Sequence, residues 1–181
     1  MYNIINLSAR ACEIFANNSL TEDYIIISVT EVGYKQSINT TNRHIKEVLR
    51  LSFDDITDEQ AKEWDKVSLG RDCILFNEDM ALLIKDFTNK WVSRGIRNIV
   101  VHCGAGISRS GAIVSTLSRY LNSREEYLYM TRAILPNKYV YKVMCKVLGL
   151  EYNEERLNRL CDIATKGVLT GEKFYGISNL A

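Results

Sequence analysis

The chain has 181 residues, which is long enough for one domain with a proper hydrophobic core and short for two. Hydrophobic residues make up 46% of it and charged residues 25%, the proportions of an ordinary soluble globular protein. The formal net charge of +1 argues against a general binder of nucleic acids or membrane surfaces. Five cysteines without a C-x-x-C pair disfavour a disulfide framework or a zinc ribbon.

The N-terminal segment MYNIINLSARACEIF has no basic n-region, and polar residues interrupt its apolar ones, so it does not resemble a secretory signal. No stretch approaches the roughly 18 uninterrupted apolar residues of a membrane span. We therefore expect a cytoplasmic protein with reduced thiols. In that compartment a conspicuous cysteine is more often a nucleophile or a metal ligand than half of a disulfide.

Predicted strands and helices alternate along the chain. The run YIIISV is β-branched and uninterrupted, which is typical of a buried strand. Asn77 is suited to the N-cap of a helix whose apolar residues recur at helical spacing and which ends at Gly95. The acidic segment 54–59 indicates a loop or the first turn of a short helix. In chain order we predict a strand at 2–7, a helix at 8–17, strands at 23–30 and 46–53, a helix at 77–94, a strand at 98–102 and a helix at 109–121.

This alternation predicts an α/β fold in a single domain. We expect a central mixed, mostly parallel sheet with helices on both faces. The polar stretch KQSINTTNR, at 35–43, is predicted to be a loop. No repeat, low-complexity tract or linker divides the chain.

The turn between the last predicted strand and helix carries the strongest chemical signal. Its sequence is VHCGAGISRSG, in which two glycines allow successive backbone N–H groups to form an inward-facing nest at a helix N-terminus. Cys103 lies at the base of the nest, where the N–H groups and the helix dipole favour thiolate over thiol. Arg109 follows six residues later, and its planar guanidinium matches two phosphate oxygens. The predicted phosphate-binding residues are Gly104, Ala105, Gly106, Ile107, Ser108 and Arg109.

Three other interpretations of this loop are weaker. A dinucleotide-binding G-x-G-x-x-G motif needs a third glycine where this chain has Arg109. A Walker A loop ends in G-K-[ST], and no lysine is present here. An isolated cysteine is most often a packing residue. However, the chance occurrence of His102, Cys103, Arg109 and Ser110 at this spacing with the glycines is improbable.

The segment HCGAGISRSG resembles the H-C-x-x-G-x-x-R-[ST] signature of the protein tyrosine and dual-specificity phosphatases, in their compact bacterial or viral form. The resemblance implies that Cys103 forms a phosphocysteine intermediate and that Arg109 stabilises the trigonal transition state. It also implies that His102 orients the loop and that the Ser110 hydroxyl helps to expel the thiolate. It implies no cofactor and no metal.

The resemblance also suggests how the domain is organised. Pro136 and Asn137, followed by a predicted helix, resemble the end of that catalytic domain in its compact versions. We therefore expect a single phosphatase domain over 1–181, with a catalytic core at about 20–150 and a C-terminal helical segment at 151–181.

A phosphate monoester leaves as an alkoxide or phenoxide, so a general acid must protonate it. The family supplies an Asp from a separate loop that follows a strand. Asp55, in RLSFDDI, matches this local context, and Asp54 stands beside it. Asp72, in GRDC, better matches the usual spacing to the cysteine. We favour Asp55, which would make the segment 57–71 an insertion, but the sequence leaves all three aspartates open.

The loop itself indicates the substrate class. Ala105, Ile107 and Ser108 add no positive charge, which favours a singly phosphorylated substrate over a phosphoinositide. We therefore predict a protein phosphatase for phosphotyrosine, with phosphoserine and phosphothreonine as further substrates and a phosphorylated protein as partner. Nucleic acid is disfavoured by the near-neutral charge. The alternatives are an RNA 5′-phosphatase or another small phosphomonoesterase of this fold, and a pseudophosphatase that binds phosphate without turnover.

Overall fold

The structure, a computed structural model, describes residues 1–34, 38, 41–63, 72–123, 125–131 and 134–170. The strands, and the helices up to residue 120, follow one another along these residues in the order that the hydrophobic pattern predicts. Their bounds in chain order are β1 (Asn3–Ser8), α1 (Ala9–Asn17), β2 (Tyr24–Thr30), β3 (Ile45–Ser52), α2 (Asp58–Glu63), α3 (Glu78–Val92), β4 (Asn98–Cys103), α4 (Arg109–Tyr120), α5 (Glu125–Thr131), α6 (Lys138–Leu148) and α7 (Glu154–Thr170).

The sheet has the strand order β1-β4-β2-β3, and all three pairings are parallel. We expected a mixed, mostly parallel sheet, but within the described residues the sheet is wholly parallel. Every connection between these strands is long enough to cross over and return in the same direction. As a result, the carboxyl ends of β2, β3 and β4 lie at one edge, where ligands bind in open α/β sheets.

Helices cover both faces of the sheet, as predicted. Ile25 and Ile27 on β2 belong to the large core that includes residues of α3, α4 and α6. Ile26, between them, belongs to a smaller core with Cys12 and Ala16 of α1. Successive side chains of a strand point to opposite faces, so the uninterrupted run YIIISV is what a strand buried on both sides requires.

Local capping explains where two of the helices begin. The Ser8 hydroxyl accepts a hydrogen bond from the Ala11 amide at 3.2 Å at the start of α1. Asn77 accepts one from the Met80 amide at 3.0 Å at the start of α3, which confirms its predicted role as N-cap. Each cap satisfies a backbone donor that the helix itself leaves unpaired.

Parts of three predicted segments lie outside the described residues. These are positions 35–37, 39 and 40 of the predicted loop, positions 64–71 of the predicted insertion, and 171–181 of the predicted C-terminal segment. The acidic segment leads into the short helix α2. In the described part of the chain, no helix combines the length and apolarity needed to cross a membrane.

Candidate active site

The loop 104–108 joins β4 to α4 and is held from outside through its carbonyl groups. The Gly104 carbonyl accepts a hydrogen bond from the Ala9 amide at 3.0 Å, and the Gly106 carbonyl accepts one from the Asn6 side-chain amide at 2.5 Å. The Ile107 carbonyl accepts one from the Leu135 amide at 3.2 Å. With its carbonyls bound to the scaffold, the loop has the arrangement that leaves N–H groups for an anion.

Gly106 is the position at which this loop requires glycine. Its φ is +73°, and a Cβ there would lie 2.6 Å from the Leu7 carbonyl carbon and 2.7 Å from the Ser8 nitrogen. Any side chain would therefore collide with the backbone where β1 meets α1. The sequence motif and the packing of the N-terminal strand thus impose the same residue.

Cys103 ends β4 directly beneath the loop. Its side chain is almost fully buried, and its Sγ accepts a hydrogen bond from the Ser110 hydroxyl at 3.1 Å. Because α4 begins at Arg109, the sulfur also lies near the N-terminus of a helix of 12 residues. A hydroxyl donor and a helix N-terminus both stabilise negative charge on sulfur.

His102 precedes the cysteine and is completely buried. Burial lowers the pKa of His102 to about 4, because the charged imidazolium would lose its hydration there; a smaller contribution from the Cys103 backbone opposes this shift. The imidazole is therefore neutral at pH 7. Neither of its ring nitrogens has a hydrogen-bond partner among the described residues, so its role in orienting the loop stays a prediction.

Arg109 is 4% exposed, and its guanidinium contacts the ends of two further strands. Nη1 donates a hydrogen bond to the Phe53 carbonyl, just after β3, at 2.9 Å. Nε lies 3.7 Å from Oδ2 of Asp55, and Nη2 lies 3.5 Å from Oε1 of Glu31, just after β2. The phosphate clamp predicted from sequence thus faces two carboxylates.

The three candidate acids occupy different positions. Asp55 is at the loop, where its Oδ1 accepts hydrogen bonds from Ser108 Oγ at 2.7 Å and from Asn137 Nδ2 at 3.0 Å. Asp54 is buried, and its Oδ2 accepts one from the Ile74 amide at 2.9 Å. Asp72 is exposed on the connection to α3. Of these three, Asp55 is the one with contacts to Arg109 and Ser108.

A pocket of about 190 Å³ opens beside the loop. Its floor includes Gly104 and Arg109. Its other lining residues come from the start of α1, from the end of β2 and from the segment after β2; they are Ala9, Val29, Thr30, Glu31 and Tyr34. Within the described ranges, no group of three or more His, Cys, Asp and Glu side chains is arranged to hold a metal ion.

Sequence reasoning missed three residues that the fold brings to the site. Asn6 on β1 holds the loop through Gly106, and Glu31 reaches Arg109 from β2. Asn137 caps α6 through its Oδ1, which accepts from the Val140 amide at 3.1 Å, while its Nδ2 binds Asp55. An Asn before an amphipathic helix signals a cap. The second contact of Asn137, with Asp55 82 residues earlier in the chain, cannot be predicted from the local sequence.

The chain matches no known family model, and no curated protein matches its sequence. Solved structures that it resembles include Tk-PTP in its active form, at 17% identity and a TM-score of 0.39, covering 90% of both chains. PTPMT1 in complex with PI(5)P matches at 14% identity and a TM-score of 0.41, covering 93% of this chain and 94% of that one. Human DUSP28 matches at 15% identity and a TM-score of 0.39, covering 95% of this chain and 99% of that one.

These neighbours are protein tyrosine and dual-specificity phosphatases. The likeness is distant in both sequence and coordinates. We therefore base the function on the geometry of the loop and of the side chains around it.

Proposed function

We propose that this chain is a cysteine-dependent phosphatase that hydrolyses phosphotyrosine in proteins, with phosphoserine and phosphothreonine monoesters as further substrates. The observation that carries the proposal is the hydrogen bond of 3.1 Å from Ser110 Oγ to Cys103 Sγ, beneath a loop closed by Arg109. A structural cysteine in a strand-to-helix turn needs no hydroxyl donor on its sulfur. A hydroxyl donor stabilises the thiolate that attacks phosphorus and later leaves it.

In the first step, the Cys103 thiolate attacks phosphorus and forms an S–P bond while the P–O bond to the substrate breaks. Asp55, protonated, gives its proton to the leaving oxygen, so an alcohol or phenol departs. Arg109 and the loop N–H groups hold the equatorial oxygens, on which the transition state spreads its charge. The position of Asp55 beside Arg109 and Ser108 supports this assignment over Asp54 and Asp72.

In the second step, water attacks the phosphocysteine. Asp55, now a carboxylate, takes a proton from that water as the S–P bond breaks. Ser110 donates its hydrogen bond to the sulfur as negative charge returns to it, and inorganic phosphate leaves. The contact between Ser110 and Cys103 supports this role, and Asn137 supports Asp55 in both steps by holding its Oδ1.

The breadth of substrate follows from the pocket beside the loop. Its volume of about 190 Å³ suits a phosphate with a small attached group, and two of its wall residues, Glu31 and Tyr34, are exposed. An open rim favours entry of phosphoserine and phosphothreonine as well as the longer phosphotyrosine. The lining includes Ala9, a partly exposed apolar residue that suits an aromatic ring.

The nucleophile is tested by Cys103→Ser, assayed on p-nitrophenyl phosphate and on phosphotyrosine peptides in the presence of EDTA. We expect wild-type turnover to survive the chelator and the variant to fall below about 1% of it, because a lost nucleophile removes several decades of rate. Vanadate binding, measured by calorimetry, should persist in the variant since Arg109 and the loop backbone are unchanged. Residual activity well above that level, or strong inhibition by EDTA, would contradict the mechanism.

A further inference from the structure

Glu31 stands at the mouth of the pocket on a fixed piece of backbone. It follows β2, and its carbonyl accepts a hydrogen bond from the Tyr34 amide at 3.0 Å, which closes a tight turn. Gly33, inside the turn, has a φ of +84°. The backbone position is therefore defined, while the Glu31 side chain is 73% exposed and points its Oε1 to within 3.5 Å of Arg109 Nη2.

This contact uses the part of Arg109 that a phosphate would need. Nη1 already donates to the Phe53 carbonyl, so the edge formed by Nε and Nη2 is the one left for a ligand. Asp55 and Glu31 face that edge at 3.7 and 3.5 Å, distances longer than those of a well-formed charged hydrogen bond. A phosphate bound to this edge of Arg109 would therefore have the Glu31 carboxylate beside it.

Apart from Arg109, the described residues that line the pocket offer no positive charge to offset this carboxylate. Among the described residues that line it, Arg109 is the cation and Glu31 the anion, and the others are uncharged. A substrate with a second negative group next to its phosphate would place that group near Glu31. A substrate with a positive group there would instead pair with it.

Building on the proposed phosphatase function, we propose that Glu31 determines the charge preference of the site. It selects a phosphotyrosine that is flanked by lysine or arginine in its peptide and disfavours one flanked by acidic residues or by a second phosphate. Glu31 takes no part in bond making or breaking. It acts on the residues beside the phosphate, and its effect is therefore largest on kcat/KM at low ionic strength.

The experiment compares two phosphotyrosine peptides of equal length, one with lysines and one with glutamates on both sides of the phosphotyrosine. The quantity measured is the ratio of their kcat/KM values, from phosphate release at low salt. We expect the wild-type chain to favour the lysine peptide about five- to tenfold, the effect of reversing a nearby exposed charge. Glu31→Gln should bring the ratio close to one, and Glu31→Lys should invert it.

Glu155→Gln is the matched control, because it removes the same charge from an exposed position on α7 outside the pocket. It should keep the wild-type ratio, and added salt should reduce that ratio in both chains. A ratio that Glu31→Gln leaves unchanged would overturn the inference, as would an equal fall in Glu155→Gln. A wild-type preference for a 5′-phosphorylated oligoribonucleotide over the lysine peptide would also overturn it.

The outcomes also separate this inference from the proposed function. A wild-type chain that hydrolyses neither p-nitrophenyl phosphate nor either peptide would overturn the phosphatase assignment and the role of Glu31 with it. An active chain with equal rates on the two peptides would overturn the role of Glu31 alone.

Discussion

Two clusters of arginine and carboxylate side chains lie at opposite ends of α4, and they differ in which partner is buried. Around Glu125, the carboxylate is 2% exposed. Its Oε1 accepts hydrogen bonds from Ser115 and Tyr141, each at 2.9 Å, and its Oε2 forms an ion pair with Arg156 at 2.6 Å. Around Arg109, the guanidinium is buried and the carboxylates of Asp55 and Glu31 are 35% and 73% exposed.

This difference distinguishes a structural ion pair from an arginine that can still bind a ligand. In the Glu125 cluster, short contacts use both oxygens of a buried anion, so little capacity remains for another molecule. In the Arg109 cluster, the contacts of 3.5 and 3.7 Å leave a buried cation incompletely paired at the edge of a pocket. A buried cation in that condition favours binding of a strong anion such as phosphate.

Arg109→Lys should disrupt the Arg109 cluster and have the largest effect on activity. Lysine keeps the charge but cannot hold two equatorial oxygens, so we expect kcat/KM to fall by about 10²–10³ and vanadate affinity to fall with it. Arg119→Lys, on the same helix but in the Glu125 cluster, is the control and should stay within a few-fold of wild type. Near-wild-type kinetics in Arg109→Lys would show that the guanidinium is not the clamp.

Asp55→Asn tests which carboxylate of the Arg109 cluster is the general acid. Losing the general acid should lower kcat by about 10²–10³. The loss should be larger for phosphoserine than for p-nitrophenyl phosphate, because a nitrophenolate leaves with little help from a proton. The basic limb of the kcat/KM pH profile should flatten in this variant.

Asp54→Asn and Asp72→Asn are the matched controls for the acid. Both remove one carboxylate from the same region of the chain, and neither should flatten the basic limb. If Asp72→Asn were the variant that lost it, the spacing argument would be correct and the contacts of Asp55 would have another purpose.

Glu125→Gln should disrupt the Glu125 cluster. It should lower stability and leave kcat/KM close to the wild-type value. Removing one partner of a buried pair leaves the arginines without their anion, so we expect the free energy of unfolding to fall by about 3 kcal/mol in urea titrations. Glu154→Gln removes an exposed pair with Lys138 at 3.0 Å and should change it by less than about 1 kcal/mol. Equal effects of the two substitutions would mean that burial does not distinguish the pairs.

His102, beneath the Arg109 cluster, should add a pH-dependent effect on stability of at most similar size. Its pKa is about 4 in the folded chain against 6.5 ordinarily, so between these values the unfolded state binds more protons. The free energy of unfolding should therefore fall as the pH drops from 6.5 to 4, by about 3 kcal/mol at most. In His102→Gln the fall over that window should be shallower by this amount; parallel curves would contradict it.

The sequence was enough to predict the strands, several helices and the phosphate-binding loop at 104–108. The run YIIISV, the Asn77 cap and the glycines of VHCGAGISRSG each act on residues close to them in sequence. Local sequence is therefore enough to predict their structure. A left-handed backbone position favours glycine, as at Gly106 with its φ of +73°. The strands, the ends of α1, α3 and α4 to within two residues, and the spacing between Cys103 and Arg109 were predictable for that reason.

Only the tertiary structure decided which carboxylates face Arg109. Asp54 and Asp55 are adjacent in sequence, yet Asp54 accepts a hydrogen bond from the Ile74 amide and Asp55 accepts one from Ser108. Glu31 and Asn137 reach the site because parallel strands bring their carboxyl ends to one edge and α6 begins beside the loop. Such contacts depend on packing between distant segments, for which local sequence holds no signal.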